Sequence, residues 1–192
     1  MDFRKTFDKI PERFDKYRPR YCKELFQELE MVCGLNFGKR VLEIGPGTGQ
    51  ATEPILKTGC DYTAIELGEN FTALMKDKFG CYQNFHIVNA DFENYSFNEN
   101  IYDLVYSAAT IQWIPEEIAF AKTYKMLKPG GYLAMFMTRS DETSTNPSLR
   151  TEIDKVYNKY FHVKERYNCK IDYENVLNYG FENMKYKEWK SV

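Results

Sequence analysis

Apolar positions along the chain follow two alternating periods. Between Tyr21 and Cys33 they fall at 22, 25, 26, 29, 32 and 33, the spacing of one helix face, and Gly34 follows as a stop. Val41-Leu42-Glu43-Ile44 is then a short apolar run entering Gly45-Pro46-Gly47-Thr48-Gly49, which predicts a buried strand and a glycine turn. A short helix to about Lys57 follows, with Pro54 tolerable only near its first turn. The alternation repeats with a strand over Tyr62–Ile65, a helix over Asn70–Phe79, and strands over Phe85–Val88 and Ile101–Tyr106. A helix over Glu116–Leu127, a turn at Lys128-Pro129-Gly130-Gly131 and a strand over Tyr132–Met137 come next. Strands alternating with helices predict an α/β fold: a Rossmann-like, doubly wound, mainly parallel sheet in three layers.

The flanks read differently. Residues 1–20 carry Arg, Lys, Phe and Tyr with Pro11 and Pro19, and predict an irregular or short-helical arm. Residues 139–148 are polar and turn-rich. Leu149, Ile153, Val156, Tyr157, Tyr160 and Phe161 mark a second amphipathic helix. A short helix over Asp172–Asn178 ends at Gly180, and Phe181–Trp189 predicts a last strand.

Composition narrows the function classes. A chain of 192 residues with 43% hydrophobic and 28% charged residues fits one domain with a full core, here residues 1–192. The formal net charge of −2 lacks the basic footprint of a general nucleic-acid binder, so no nucleic-acid partner is expected. No apolar run approaches the ~20 residues of a membrane span, and the charged N-terminus does not resemble a signal peptide, so a cytoplasmic protein without a membrane partner is expected. The five cysteines are scattered without a C-x-x-C pair, which predicts reduced, mostly buried thiols and no metal. His86 falls in a predicted buried strand as a core histidine, and His162 on a late helix. No Cys-His or Ser-His-Asp constellation stands out, so no catalytic residue is assigned.

The glycine turn carries the most chemistry. Glycines after a strand permit positive φ and close approach of a ligand to the backbone. The dinucleotide fingerprint starting at Gly45 needs glycine at position 50, which is Gln50, and the phosphate loop lacks its Lys. What remains is E-x-G-x-G-x-G, with Glu43 inside the strand. An acid there suits a ligand with a positive end better than a pyrophosphate. Glu66 ends the second strand about 20 residues after Gly45, the offset of an acid that accepts from ribose hydroxyls. Asp91 and Phe92 end the third strand, where a carboxylate can accept from an adenine amino group and a ring can lie beside it. All three sites lie at carboxyl ends of strands, where open α/β sheets bind ligands.

VLEIGPGTGQAT, AIELGENF, NADFENYSF, YDLVYSAATIQWI and MLKPGGYLAMF resemble, in order and spacing, the motifs of class I S-adenosylmethionine (SAM)-dependent methyltransferases. Within them the chain is similar to the small-molecule, trans-aconitate methyltransferase-like group, and FDKIPERFDKYRPRYCKELFQEL resembles that group's N-terminal arm. The resemblance implies SAM as cofactor, S-adenosylhomocysteine (SAH) as product, and a small-molecule methyl acceptor. It implies that Glu43 orients the loop and that Gly45, Pro46, Gly47, Thr48 and Gly49 approach the cofactor. Glu66 would hold the ribose, Leu67 pack on adenine, and Asp91 take the adenine amino group with Phe92 beside it. Ser107 and Ala108 would pass near the sulfonium. Tyr17, Arg18, Arg20, Gln112 and Trp113 are the implied substrate-side residues, with residues 1–34 as arm, helix and lid, 35–138 as cofactor-binding core, and 139–192 partly substrate-side. Transfer would be an in-line displacement relying on proximity and desolvation rather than covalent catalysis. The alternative is a non-catalytic SAM-binding or interaction protein. A nucleotide-dependent oxidoreductase is a more distant reading.

The resembled fold has seven strands, the last antiparallel and slotted between the fifth and sixth. Six are counted here, so the expectation is a chain lacking that strand. The fifth strand would then be an open edge, filled by another chain or left available for homo-oligomer formation.

Overall fold

A computed structural model of the protein describes residues 3–139, 146–160 and 171–189. Five strands form the sheet: β1 (Arg40–Ile44), β2 (Asp61–Glu66), β3 (Phe85–Asn89), β4 (Tyr102–Ala108) and β5 (Leu127–Phe136). Their order is β3-β2-β1-β4-β5, and every pairing is parallel. The connecting helices are α3 (Thr52–Leu56) between β1 and β2, α4 (Glu69–Phe79) between β2 and β3, and α5 (Glu116–Met126) between β4 and β5. Before the sheet come α1 (Pro11–Tyr17) and α2 (Lys23–Cys33), and after it α6 (Pro147–Tyr160).

Side-chain alternation on β1 divides the interior in two. Val41 joins Ile55, Leu56, Tyr62, Met75, Phe79, Leu104 and Tyr106 under α2, α3 and α4. Leu42 and Ile44 join Ile65, Val105, Phe120, Met126 and Val176 on the α5 side. Both faces of the central strands are covered, so β1 and β4 read as near-continuous apolar runs. Much of the aromatic content sits here: Tyr62 and Tyr106 are fully buried, and Tyr106 stacks on Phe136 with ring centroids 5.9 Å apart.

Several expectations need correction. Lys128–Gly131 is not a turn ahead of the last parallel strand but a bulge inside β5. Tyr102 pairs with Leu127, and Leu104 already with Tyr132, so the extra residues are expelled at Gly130, whose φ is +76°. Phe181–Trp189 is not a strand. Gly180, at φ +94°, redirects the chain after a 3-10 turn over Tyr173–Tyr179. Phe181 then packs its ring on Tyr124 of α5, 5.3 Å away. Among the described residues this segment joins neither open edge of the sheet. His86 is not a core residue: β3 is a sheet edge, and the imidazole is exposed, 4.0 Å from Asp61. His162 lies outside the described residues. Cys33 and Cys60 are buried, but Cys81 is exposed and Cys22 half-buried, while Cys169 lies outside the described residues. On α6 no residue is buried; its apolar stripe of Leu149, Ile153, Val156, Tyr157 and Tyr160 faces outward.

Candidate functional site

The carboxyl ends of β1, β2 and β3 lie side by side, and the loops leaving them converge. Gly45 continues the β1 ladder by donating its N–H to the Ile65 carbonyl at 2.9 Å. The loop then turns on Gly45, Gly47 and Gly49, all with positive φ. A Cβ at Gly45 would stand 2.3 Å from Thr110, so close packing of two loops as well as φ requires glycine there. Pro46 and Thr48 are buried beneath the turn, and the Pro46 carbonyl accepts from Gly49 N–H at 3.0 Å.

Glu43 points beneath this loop rather than into it. Its carboxylate is fully buried and accepts from Thr52 Oγ1 at 2.6 Å and from the Tyr62 hydroxyl, which also bonds to the Tyr106 hydroxyl. Burial pushes its pKa up to about 7 against the opposing pull of these hydrogen bonds. The second oxygen, Oε1, is buried without a protein partner.

Glu66 bridges the first two loops. Oε2 accepts from Gly47 N–H at 2.9 Å, and Oε1 from Gly68 N–H at 2.7 Å. It is only 6% exposed, and burial, aided by repulsion from Asp8 and Glu43, pushes its pKa up to about 7. Two of the roughly four acceptor positions on a carboxylate are therefore used. Leu67 is half-buried beside it. Asp91 ends the β3 side: its Oδ1 accepts from Glu93 N–H at 3.0 Å, which holds the chain in a tight turn. Phe92 is buried in the α5-side core.

Beyond β4, Ser107 is buried and acts as a clasp. Its hydroxyl donates to the Ile44 carbonyl at 3.3 Å and accepts from Ile111 N–H at 2.9 Å. Ala108 is half-buried, and Ala109 adopts φ +60°, a conformation that costs energy for a residue with a Cβ. Gln112 donates to the Ala109 carbonyl at 2.9 Å while its Oε1 is buried without a protein partner; Trp113 is half-buried beside it.

The arm lies across all three strand ends. Phe14 of α1 is against Gly47, and its ring packs on Phe7 and on Phe71 of α4. Asp8 caps α4, accepting from Phe71 N–H at 2.7 Å, and lies against Gly68. Arg4 reaches Asp91 at 3.0 Å and Glu93 at 2.6 Å. Lys78 links arm and loop, pairing with Asp15 at 2.7 Å and donating to the Thr48 carbonyl at 2.9 Å. Among the arm residues singled out from sequence, Arg20 pairs with Asp15, Arg18 lies over the Phe14 ring, and Tyr17 is 72% exposed. The arm residues that reach the strand ends are Arg4, Asp8 and Phe14, which sequence reasoning passed over. An N-cap Asp contributed from 62 residues away leaves no local signature. The open cleft, about 790 Å³, lies beside the loop, between α2 and α3, rather than above the strand ends.

Residues 42–135 match a family model described as a methyltransferase domain. The chain carries a class I SAM-dependent methyltransferase domain. One similar protein is a malonyl-[acyl-carrier protein] O-methyltransferase of Marinomonas sp., 33% identical over 140 residues, or 71% of this chain and 51% of that protein. Another is an rRNA adenine N-6-methyltransferase of Limosilactobacillus reuteri, 28% identical over 71% of this chain and 60% of that protein. Among solved structures, phosphoethanolamine N-methyltransferase 2 of Haemonchus contortus in complex with SAM superposes with a TM-score of 0.64. Its identity is 19%, over 91% of this chain and 41% of that one, which speaks to fold alone. The chain spans about half to two thirds of the length of the curated relatives it matches. SAM is the cofactor of such a methyltransferase domain, and the site residues fit it: a positive-φ loop behind Glu43, and a buried Glu66 with acceptor capacity to spare.

Proposed function

We propose that this protein transfers the methyl group of SAM to a small-molecule acceptor rather than to nucleic acid. The observation that carries the cofactor half is Glu66, a buried carboxylate tied to both the glycine loop and the β2 loop, whose remaining lone pairs suit a ribose diol. Asp91 takes the adenine amino group, Leu67 and Phe92 border the ring, and Gly45 to Gly49 admit the methionine part. When bound, SAM supplies a methyl group already activated by its sulfonium. The chain's own task is to orient the acceptor and exclude water. Gln112 and Trp113 border the acceptor side, with Tyr17, Arg18 and Arg20 at its mouth. A near-neutral charge supports a small acceptor, because a chain at −2 has little pull on polyanions.

The arm is the lid of this site. It spans Gly47, Gly68 (which donates to Glu66) and Asp91, and so covers the ends of all three strands that carry the cofactor residues; entry demands that it lift. At the far end of the sheet, the side of β5 that has no strand partner among the described residues supports homo-oligomer formation by strand pairing.

The test is calorimetry with SAH, followed by a methyl-transfer assay over a metabolite panel with mass detection. Binding is expected, and Glu66→Ala should weaken it at least about tenfold, the effect of losing charge-assisted hydrogen bonds. Absence of binding to the unmodified protein would overturn the reading. Binding without turnover on any acceptor would favour a non-catalytic SAM-binding protein.

A further inference from the structure

Lys122 lies on α5, outside the glycine loop and the strand-end motifs. Its ammonium donates to three backbone carbonyls of one loop: Phe92 at 2.7 Å, Glu93 at 3.0 Å and Tyr95 at 2.8 Å. The rings of Phe92 and Phe97 close the remaining directions, with centroids 5.2 Å and 5.4 Å from Nζ. An ammonium has three donors, and all three are used on this one segment. Converging carbonyl dipoles repel one another unless a cation sits between them. Without Nζ, the three oxygens would lose their shared partner and the loop its geometry.

The same segment begins at Asp91. The Asp91 carboxylate fixes Glu93 N–H, whose carbonyl in turn is held by Lys122. The lysine is therefore tied to the orientation of Asp91 through two consecutive contacts. The acids facing it, Asp91 and Glu93, are bridged by Arg4 from the arm and are not its direct hydrogen-bond partners.

We propose that Lys122 is a positioning residue for adenine recognition: it sets the Asp91–Tyr95 loop so that Asp91 meets the exocyclic amino group of the cofactor. This rests on the functional reading above. A mere structural prop would affect all ligands alike. A positioning role makes a narrower demand, because S-inosylhomocysteine carries a carbonyl oxygen, an acceptor, where SAH carries that donating amino group.

The experiment is calorimetry of the full chain and of Lys122→Met with SAH and with S-inosylhomocysteine. The unmodified protein should favour SAH, and Lys122→Met should lose SAH affinity by about tenfold while the ratio between the two ligands collapses toward one. Lys122→Arg, which keeps charge and donors, should restore most of the ratio. Lys122→Gln, which keeps a neutral donor, serves in the same comparison if the Met variant does not fold. An unchanged ratio in a folded variant, even with both affinities lowered, would overturn this role and leave the functional reading standing. Failure of the unmodified protein to bind SAH would overturn both.

Discussion

Glu43 and Glu66 are buried acids on the neighbouring strands β1 and β2, yet they serve different neighbours. Glu43 answers to hydroxyls from α3, β2 and β4, while Glu66 answers to backbone N–H groups of the loops. Both have folded-state pKa values near 7, above the ordinary 4.5. A raised carboxyl pKa means that the folded state holds the proton more tightly, so stability is greatest below the unfolded value and falls as pH rises through the folded one. Each acid should cost on the order of 3 kcal/mol between pH 4.5 and 7. Denaturant unfolding at several pH values should show this slope, and Glu43→Gln should remove about half of it; an unchanged slope would refute burial as the cause. The proposed ribose contact gives ligand binding the opposite sign, because a diol donates to an ionised carboxylate. SAH affinity should rise roughly tenfold from pH 6 to 8 and flatten in Glu66→Gln. The offset between Gly45 and Glu66 made this acid legible in the sequence. The hydroxyl cluster around Glu43 was not, because Thr52, Tyr62 and Tyr106 meet only when three elements pack.

At the scale of elements, the arm shows how short helices acquire a definite position. The 7 residues of α1 are too few for an isolated helix to hold. What seats the arm is contact with the sheet ends: Phe14 among Phe7 and Phe71, Asp8 on α4, Arg4 on Asp91 and Glu93. Arg4→Ala should loosen it over Asp91, so SAH should associate faster, and added salt should accelerate the unmodified protein more than the variant. Stopped-flow binding at two ionic strengths measures this; equal rates and equal salt dependence would count against the lid. Strand and helix spacing placed α2, α4, α5 and the first four strands close to where they lie. The bulge of β5 escaped notice because Lys-Pro-Gly-Gly carries the same local signal as a turn, and only the register with β4 tells them apart.

For the molecule as a whole, the open side of β5 and the outward stripe of α6, together with the β3 edge, are features that do not close on themselves within the described residues. Tyr132, 43% exposed on β5, lies on that edge. Sedimentation velocity should show association rising with protein concentration, and Tyr132→Lys should reduce it, since an edge lysine discourages strand pairing. A monomer at all concentrations would remove the homo-oligomer reading without touching cofactor binding.

Local order in this protein was set by the sequence: apolar runs long enough for strands, helical stripes between them, and glycines where only positive φ will serve. The positions of Glu66 and Asp91 followed from the same order, because strand ends in a parallel sheet recur at regular offsets. Tertiary structure alone decided which segments found partners. Phe181–Trp189 reads as a strand yet joins no ladder among the described residues, and Arg4 meets Asp91 across 87 residues of chain. Lys122 gathers three carbonyls from a loop about 27 to 30 residues away. Such contacts depend on where two distant backbones come to rest, and a linear pattern of residue types carries no record of that distance.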